Sequence, residues 1–188
     1  MSNIAIKGAT TGTGVFTLES PATNTDRTLV LPDEAGTVLT SASNVAQKGV
    51  PAFRVYLSGT QTTSTNVNTK VMLNTESFDT ASAFDSATDY RFQPTIAGHY
   101  LLTANVSFVS NSVGLRYGSI RINGVEYSSG QCINTGNNWT TVSVSCVAYF
   151  NGSSDYAELY GKQISGGNLD VVPYSSWTNM TGVLVRAD

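Results

Sequence analysis

The stretch RFQPTIAGHYLLTANVSFVS, residues 91–110, holds the longest period-two alternation of apolar residues in the chain. The alternating positions are Tyr100, Leu102, Ala104, Val106 and Phe108. Such a pattern predicts a β-strand with one buried face. Just upstream, Pro94 and Gly98 mark a corner, and Phe92 closes the segment before it. The stretch therefore predicts two strands that meet at a corner and both send an aromatic ring inward.

Shorter alternations recur on both sides of this stretch, in PAFRVYLSG (51–59), WTTVSVSCVAYF (139–150), DYAELYGKQI (155–164) and MTGVLV (180–185). Asn123-Gly124 stands between two apolar segments, which is the strongest short-range signal for a β-hairpin. Turn signals return about every 8–12 residues, and no helical period competes with them. The fold class predicted from these patterns is all-β, a β-sandwich or jelly roll.

Composition excludes several classes of function. Charged residues make up 12% of the 188 residues, against about 25% in an average soluble domain. The net charge is -3 and no basic cluster occurs, so a nucleic-acid partner is not expected. No apolar run approaches the ~20 residues that span a bilayer, so membrane insertion is not expected. The first residues lack the apolar core of a secretory signal, which predicts synthesis in a cytoplasm.

Few residues are suited to catalysis or metal binding. The chain has one histidine, His99, and two cysteines, Cys132 and Cys146, too few for an ordinary thiol or zinc site. We therefore predict no enzyme activity, no catalytic residues, no metal and no cofactor. The cysteines are interpreted as small buried thiols, with a late disulfide as the alternative.

Three acidic residues, Asp79, Asp85 and Asp89, fall close together in one segment. The first interpretation is a solvated loop. The alternative is a site for a hard cation such as Ca²⁺, which takes several oxygen ligands.

The first 48 residues differ from the rest of the chain. They contain three short strand-like pieces, punctuated by Pro21, Pro32 and Gly36. Their apolar residues are Val15, Phe16, Leu18, Leu29, Leu31, Val38 and Leu39. This is too little apolar surface for an independent core. We predict that 1–48 is an extended, β-rich anchoring arm and linker that packs on another subunit, with disorder as the alternative, and that 49–188 is the head domain.

The head segment resembles a known family. VMLN (71–74), FDSATDYRF (84–92), the spacing Phe92-x5-Gly98-x-Tyr100 and INGVEY (122–127) are similar to the globular head of the first complement component, one of the tumour-necrosis-factor-like jelly rolls. The resemblance covers roughly residues 50–186 and implies a homotrimer with one sheet of each subunit facing its neighbours. The residues assigned to that interface are Tyr100, Leu102, Phe108 and Tyr149.

The arm carries a second resemblance. TLVLPDEAGTVL (28–39) is similar to strand-turn-strand stretches in fibres and decoration proteins of tailed bacteriophages. Together the two resemblances imply a virion surface protein made in the host cytoplasm. The first hypothesis is a capsid decoration or cement protein, whose arm docks on the major capsid protein or other virion subunits while the head projects outward.

The alternative hypothesis is a tail-fibre tip that binds a host surface glycan. Trp139 and Trp177 are then the candidate ligand contacts, because both lie near predicted loops and aromatic rings stack on sugars. The same rings also suit an interface or the core.

Overall fold

The computed structural model describes residues 50–188, except 134, 135 and 137. The predicted arm, 1–48, and its seven anchoring residues lie outside the described residues, and the domain boundary stays a prediction. The described residues form thirteen β-strands and no helix, and thus no helix that would cross a membrane. The strands are β1 (Ala52–Tyr56), β2 (Gln61–Thr63), β3 (Thr69–Lys70), β4 (Thr75–Asp79), β5 (Phe84–Asp85), β6 (Arg91–Phe92), β7 (Gly98–Phe108), β8 (Leu115–Ile122), β9 (Val125–Ile133), β10 (Thr140–Phe150), β11 (Ala157–Gln163), β12 (Leu169–Val171) and β13 (Asn179–Ala187).

The strands form two antiparallel sheets. The front sheet has the order β2-β12-β7-β13-β1-β4, and β10 pairs with β7. The same β7 residues pair with both β10 and β13, so these two strands lie on opposite edges of β7. The back sheet has the order β5-β6-β11-β8-β9, and β3 pairs with β11. This arrangement of stacked sheets confirms the predicted all-β sandwich.

The opening stretch forms the corner that the sequence predicts. Phe92 ends β6 and Tyr100 lies near the start of β7, and both side chains are buried. Gly98 has φ +151°, and a Cβ there would lie 2.3 Å from the backbone oxygen of Arg186. Only glycine fits this position without strain.

Aromatic rings fill the core beside this corner. The ring of Phe92 stacks on Phe53 at 4.4 Å and meets Tyr100 and Phe150 edge-on at 5.3 and 5.6 Å. The Tyr100 hydroxyl donates to the Ile96 carbonyl at 2.9 Å, and burial raises the pKa of this phenol. The inward aromatics of the sequence pattern are thus the centre of the hydrophobic core.

Three glycines line the inner side of the back sheet. Gly161, Gly118 and Gly130 are direct neighbours on β11, β8 and β9. A Cβ at Gly118 would lie 2.8 Å from Cγ1 of Val106 in the front sheet. The glycine row therefore lets the two sheets approach more closely than side chains on the back sheet would permit.

Most predicted strands and the Asn-Gly hairpin are present. Asn123 and Gly124 both have positive φ, as a tight hairpin turn requires. The apolar spacing of VMLN (71–74) also predicts a strand around Val71–Leu73, and this prediction is wrong: Val71 and Leu73 are buried, but the segment lies between β3 and β4. The apolar spacing indicates that alternate side chains are buried, and here the segment that connects two strands buries them as well.

The two cysteines are free and do not meet. Strand β9 runs beside β10, where Ser128 Oγ donates to the Ser145 carbonyl and Cys132 Sγ lies 4.0 Å from the Thr141 carbonyl. Cys146 lies five residues farther along β10 than Thr141, about 17 Å at the rise of a strand. A disulfide needs Cα atoms within about 7 Å, so this geometry excludes the late disulfide.

Candidate functional site

The outer surface of the front sheet carries a row of apolar side chains. Val147, Leu101, Val183 and Ala52 are consecutive neighbours across β10, β7, β13 and β1. Leu101 is 38% exposed and Val147 is 51% exposed. We call this row, together with the exposed Tyr149 on β10, the front face. Exposed apolar side chains that are contiguous on one sheet mark a surface suited to contact with another protein.

Three of the four residues assigned to the trimer interface need correction. Tyr100, Leu102 and Phe108 are 0% exposed in the single subunit. Their side chains point between the sheets, so they have no surface left to share with a second subunit. Tyr149 points outward, with its ring 5.4 Å from His99, and its place in an interface stays a prediction.

The outer surface of the back sheet has the opposite character. Lys70 Nζ lies 2.6 Å from Glu158 Oε1, and the guanidinium of Arg121 lies 4.2 Å from the centre of the Tyr160 ring. Partial burial opposes the charge of Lys70, but the hydrogen bond and charge of Glu158 raise its pKa above the ordinary value. The ion pair and the stacked cation thus lie on the back sheet, while the row of the front face is apolar.

Trp139 and Trp177, 38 positions apart in sequence, meet in space. Their ring centroids are 5.2 Å apart at 84°, an edge-to-face contact. The two side chains are 45% and 38% exposed. Ser107 Oγ fixes one of them by donating to the Trp177 carbonyl at 2.8 Å. We call this the tryptophan pair.

The tryptophan pair lies at the end of the head opposite the start of β1. Trp139 precedes Thr140, which pairs with Phe108 at the end of β7. Ala52, at the start of β1, aligns through β13 with Leu101 near the other end of β7. The predicted distal position of both tryptophans is consistent with this geometry, but their role as ligand contacts stays a prediction.

The acidic residues serve the loops in which they lie. The Asp79 carboxylate accepts hydrogen bonds from the backbone N–H groups of Ala81, Ala83 and Phe84. Asp85 accepts from Ala87 and Thr88. Within residues 50–188, gaps excepted, no group of three or more His, Cys, Asp or Glu side chains is placed to hold a metal.

The chain matches no known family model and no curated protein. Solved structures do match. Murine APRIL is 13% identical over 72% of this chain and 99% of its own, with a TM-score of 0.55. Eiger TNF from S. frugiperda is 11% identical over 74% of this chain and 94% of its own, with a TM-score of 0.52. The PRD1 vertex protein P5 is 17% identical over 73% of this chain and 99% of its own, with a TM-score of 0.53.

The front-face residues Leu101, Val147 and Val183 were missed in the sequence. Their signal is present: each is an apolar residue out of phase with the inward alternation of its strand.

The sequence identities of 11–17% to the three solved structures establish a shared fold and nothing further. The described part of the chain has the tumour-necrosis-factor-like jelly-roll fold.

Proposed function

We propose that this protein is a non-enzymatic, homotrimeric component of a bacteriophage virion surface. The observation that carries the trimer is the contrast between the two sheets. An apolar row on the front sheet gains by leaving water, whereas the ion pair and stacked cation of the back sheet favour solvent. A closed ring of three subunits would cover each front face and stop further growth.

The finer proposal is a capsid decoration protein that docks through residues 1–48. Similarity in fold to a protein named for a virus vertex, PRD1 P5, supports a particle surface. A protein that binds only the assembled shell stabilises it by mass action. Three weak arms joined at one head also reach a high effective concentration at the shell.

Deletion of residues 1–40 tests this proposal. The truncated chain is expected to stay a soluble trimer with unchanged far-UV circular dichroism, and to lose binding to undecorated capsids in a co-sedimentation assay. Full-length protein is the control. If the truncated trimer binds capsids as well as the full-length protein, the arm is not the anchor.

A tail-fibre adhesin is the second candidate, because the tryptophan pair is exposed at the end of the head opposite the start of β1. Gold-labelled protein in particle images distinguishes the two functions. Copies spread over the shell support decoration, and a few copies at the tail support the adhesin. In the adhesin, Trp177→Ala is expected to reduce adsorption to host cells.

A further inference from the structure

The outer surface of the back sheet contains a groove that none of the functions above uses. Its volume is about 350 Å³, within the range of roughly 300–1,000 Å³ typical of small-molecule sites. Five polar side chains line it: Asn68, Tyr117, Glu126, Gln131 and Lys162. We call it the back groove.

Neighbouring strands, not loops, build the floor of the back groove. Lys162, Tyr117 and Gln131 are consecutive neighbours on β11, β8 and β9. Strands are about 4.8 Å apart, so an ammonium group, a phenol ring and an amide line up in one row. Two β-ladders fix the backbone of this row, so binding does not have to order a loop.

Some polar groups of the groove bond to each other, and others keep free hydrogen-bonding capacity. The Tyr117 hydroxyl donates to Glu126 Oε1 at 2.6 Å. Burial and this hydrogen bond raise the pKa of Tyr117, so the phenol stays protonated at neutral pH. In the described part of the chain, the Lys162 ammonium group has no carboxylate partner, and the side-chain amide of Gln131 has no hydrogen-bond partner. Donors and acceptors therefore remain for a ligand.

One end of the groove is apolar. Leu115 and Ile164 line it there, and Ile164 is a large exposed hydrophobic residue. A ligand that fits must thus combine a ring with an apolar face, several hydrogen-bonding groups, and a small apolar substituent. The nearby opposite charges of Glu126 and Lys162 disfavour a strongly charged ligand.

We infer that the back groove binds a hexose that carries an acetamido group. The C–H face of the sugar ring packs on Tyr117, and the hydroxyls bond to Gln131, Asn68 and Lys162. The acetamido methyl group fills the apolar end. This binding is independent of the tryptophan pair. The groove lies on the sheet opposite the front face, so it stays open in the proposed trimer.

Titration of the full-length protein tests the inference, with N-acetylglucosamine and N-acetylgalactosamine as probes and glucose as the comparator. Saturation-transfer NMR and calorimetry are expected to show that at least one acetamido sugar binds with a dissociation constant of about 10 mM or below. This sugar is expected to bind more tightly than glucose. Gln131→Ala and Tyr117→Ala are each expected to weaken binding by about tenfold, the loss of one good contact.

Val125→Ala changes an exposed residue of β9 that does not line the groove, so it is the matched control and is expected to bind sugar like the parent. Gln131 is exposed, so its variant is expected to fold even where Tyr117→Ala does not, and circular dichroism checks both. The inference is overturned if neither acetamido sugar binds, or if Trp139→Ala abolishes binding while Gln131→Ala does not. Sedimentation of the same samples reports the trimer separately, so the two proposals fail independently.

Discussion

Two aspartate side chains of the head stabilise loops between strands by accepting hydrogen bonds from backbone N–H groups. The side chain of Asp79 accepts three backbone N–H groups across the connection from β4 to β5, and Asp85 accepts two in the next connection. Their proximity in sequence also allows a cation site, the alternative to a solvated loop. Only the fold shows that backbone donors already occupy these oxygens, because a sequence records which acceptors exist but not which donors reach them.

Asp79→Ala is expected to destabilise the head by about 1–3 kcal/mol, because it leaves three N–H groups without their acceptor. Urea unfolding monitored by fluorescence measures the change. Asp89→Ala is the control. Its side chain is about half exposed and its carboxylate forms an ion pair with Arg91, so a loss below about 1 kcal/mol is expected. Equal losses in the two variants would contradict the role given to Asp79.

The pKa of Asp85 is expected to lie below 3.8, because hydrogen bonds from the backbone of Thr88 and then Ala87 favour the charged carboxylate. A group with a lowered folded pKa stabilises the fold above its unfolded pKa, and that contribution is lost as the pH falls through the folded value. NMR titration of the Ala87 and Thr88 amides measures the midpoint. A midpoint at or above 3.8 would argue against these hydrogen bonds.

At the scale of elements, alternation identified the long strands because one buried face forces period two on β7 and β10. The same alternation did not identify the front face. Inward residues such as Tyr100 carry the stronger pattern, and the outward Leu101 and Val147 appear only as exceptions to it. The segment at Val71 was misassigned because burial alone does not distinguish a strand from a packed connection. The back groove joins residues from three strands, so no local pattern predicts it.

The glycine row sets the separation of the sheets. Gly118→Ala is expected to destabilise the head by about 1–3 kcal/mol, since the new methyl group overpacks against Val106. Gly59→Ala is the control, because a Cβ there meets nothing within 4 Å. Thermal unfolding compares the two.

Adding Val106→Ala to Gly118→Ala is expected to cost less than the sum of the two single changes, because the smaller side chain makes room for the methyl group. Strict additivity would show that the two positions do not press on each other.

At the scale of the whole molecule, the two outer surfaces differ in chemistry. The front face is apolar, and the back surface holds the ion pair of Lys70 with Glu158 and the cation of Arg121 on Tyr160. A head that worked alone would have no need of this division. A head that assembles through one sheet would require it.

Leu101→Lys is therefore expected to convert the proposed trimer to monomers, because three charges would be buried in an apolar interface. Sedimentation velocity measures the mass. Val125→Lys is the matched control, since Val125 is a large exposed apolar residue at the start of β9 in the back sheet, and it is expected to keep the mass of the parent. A trimer that survives Leu101→Lys would place the interface elsewhere.

The separation of the two thiols along the neighbouring strands β9 and β10 has a consequence for how the protein responds to oxidation. Burial raises the pKa of both Cys132 and Cys146, so little reactive thiolate forms at neutral pH. Transfer from a reducing compartment to air should leave the covalent structure of the head unchanged. The two sulfurs are too far apart to crosslink to each other, and their raised pKa values predict slow reaction with thiol-directed reagents at neutral pH.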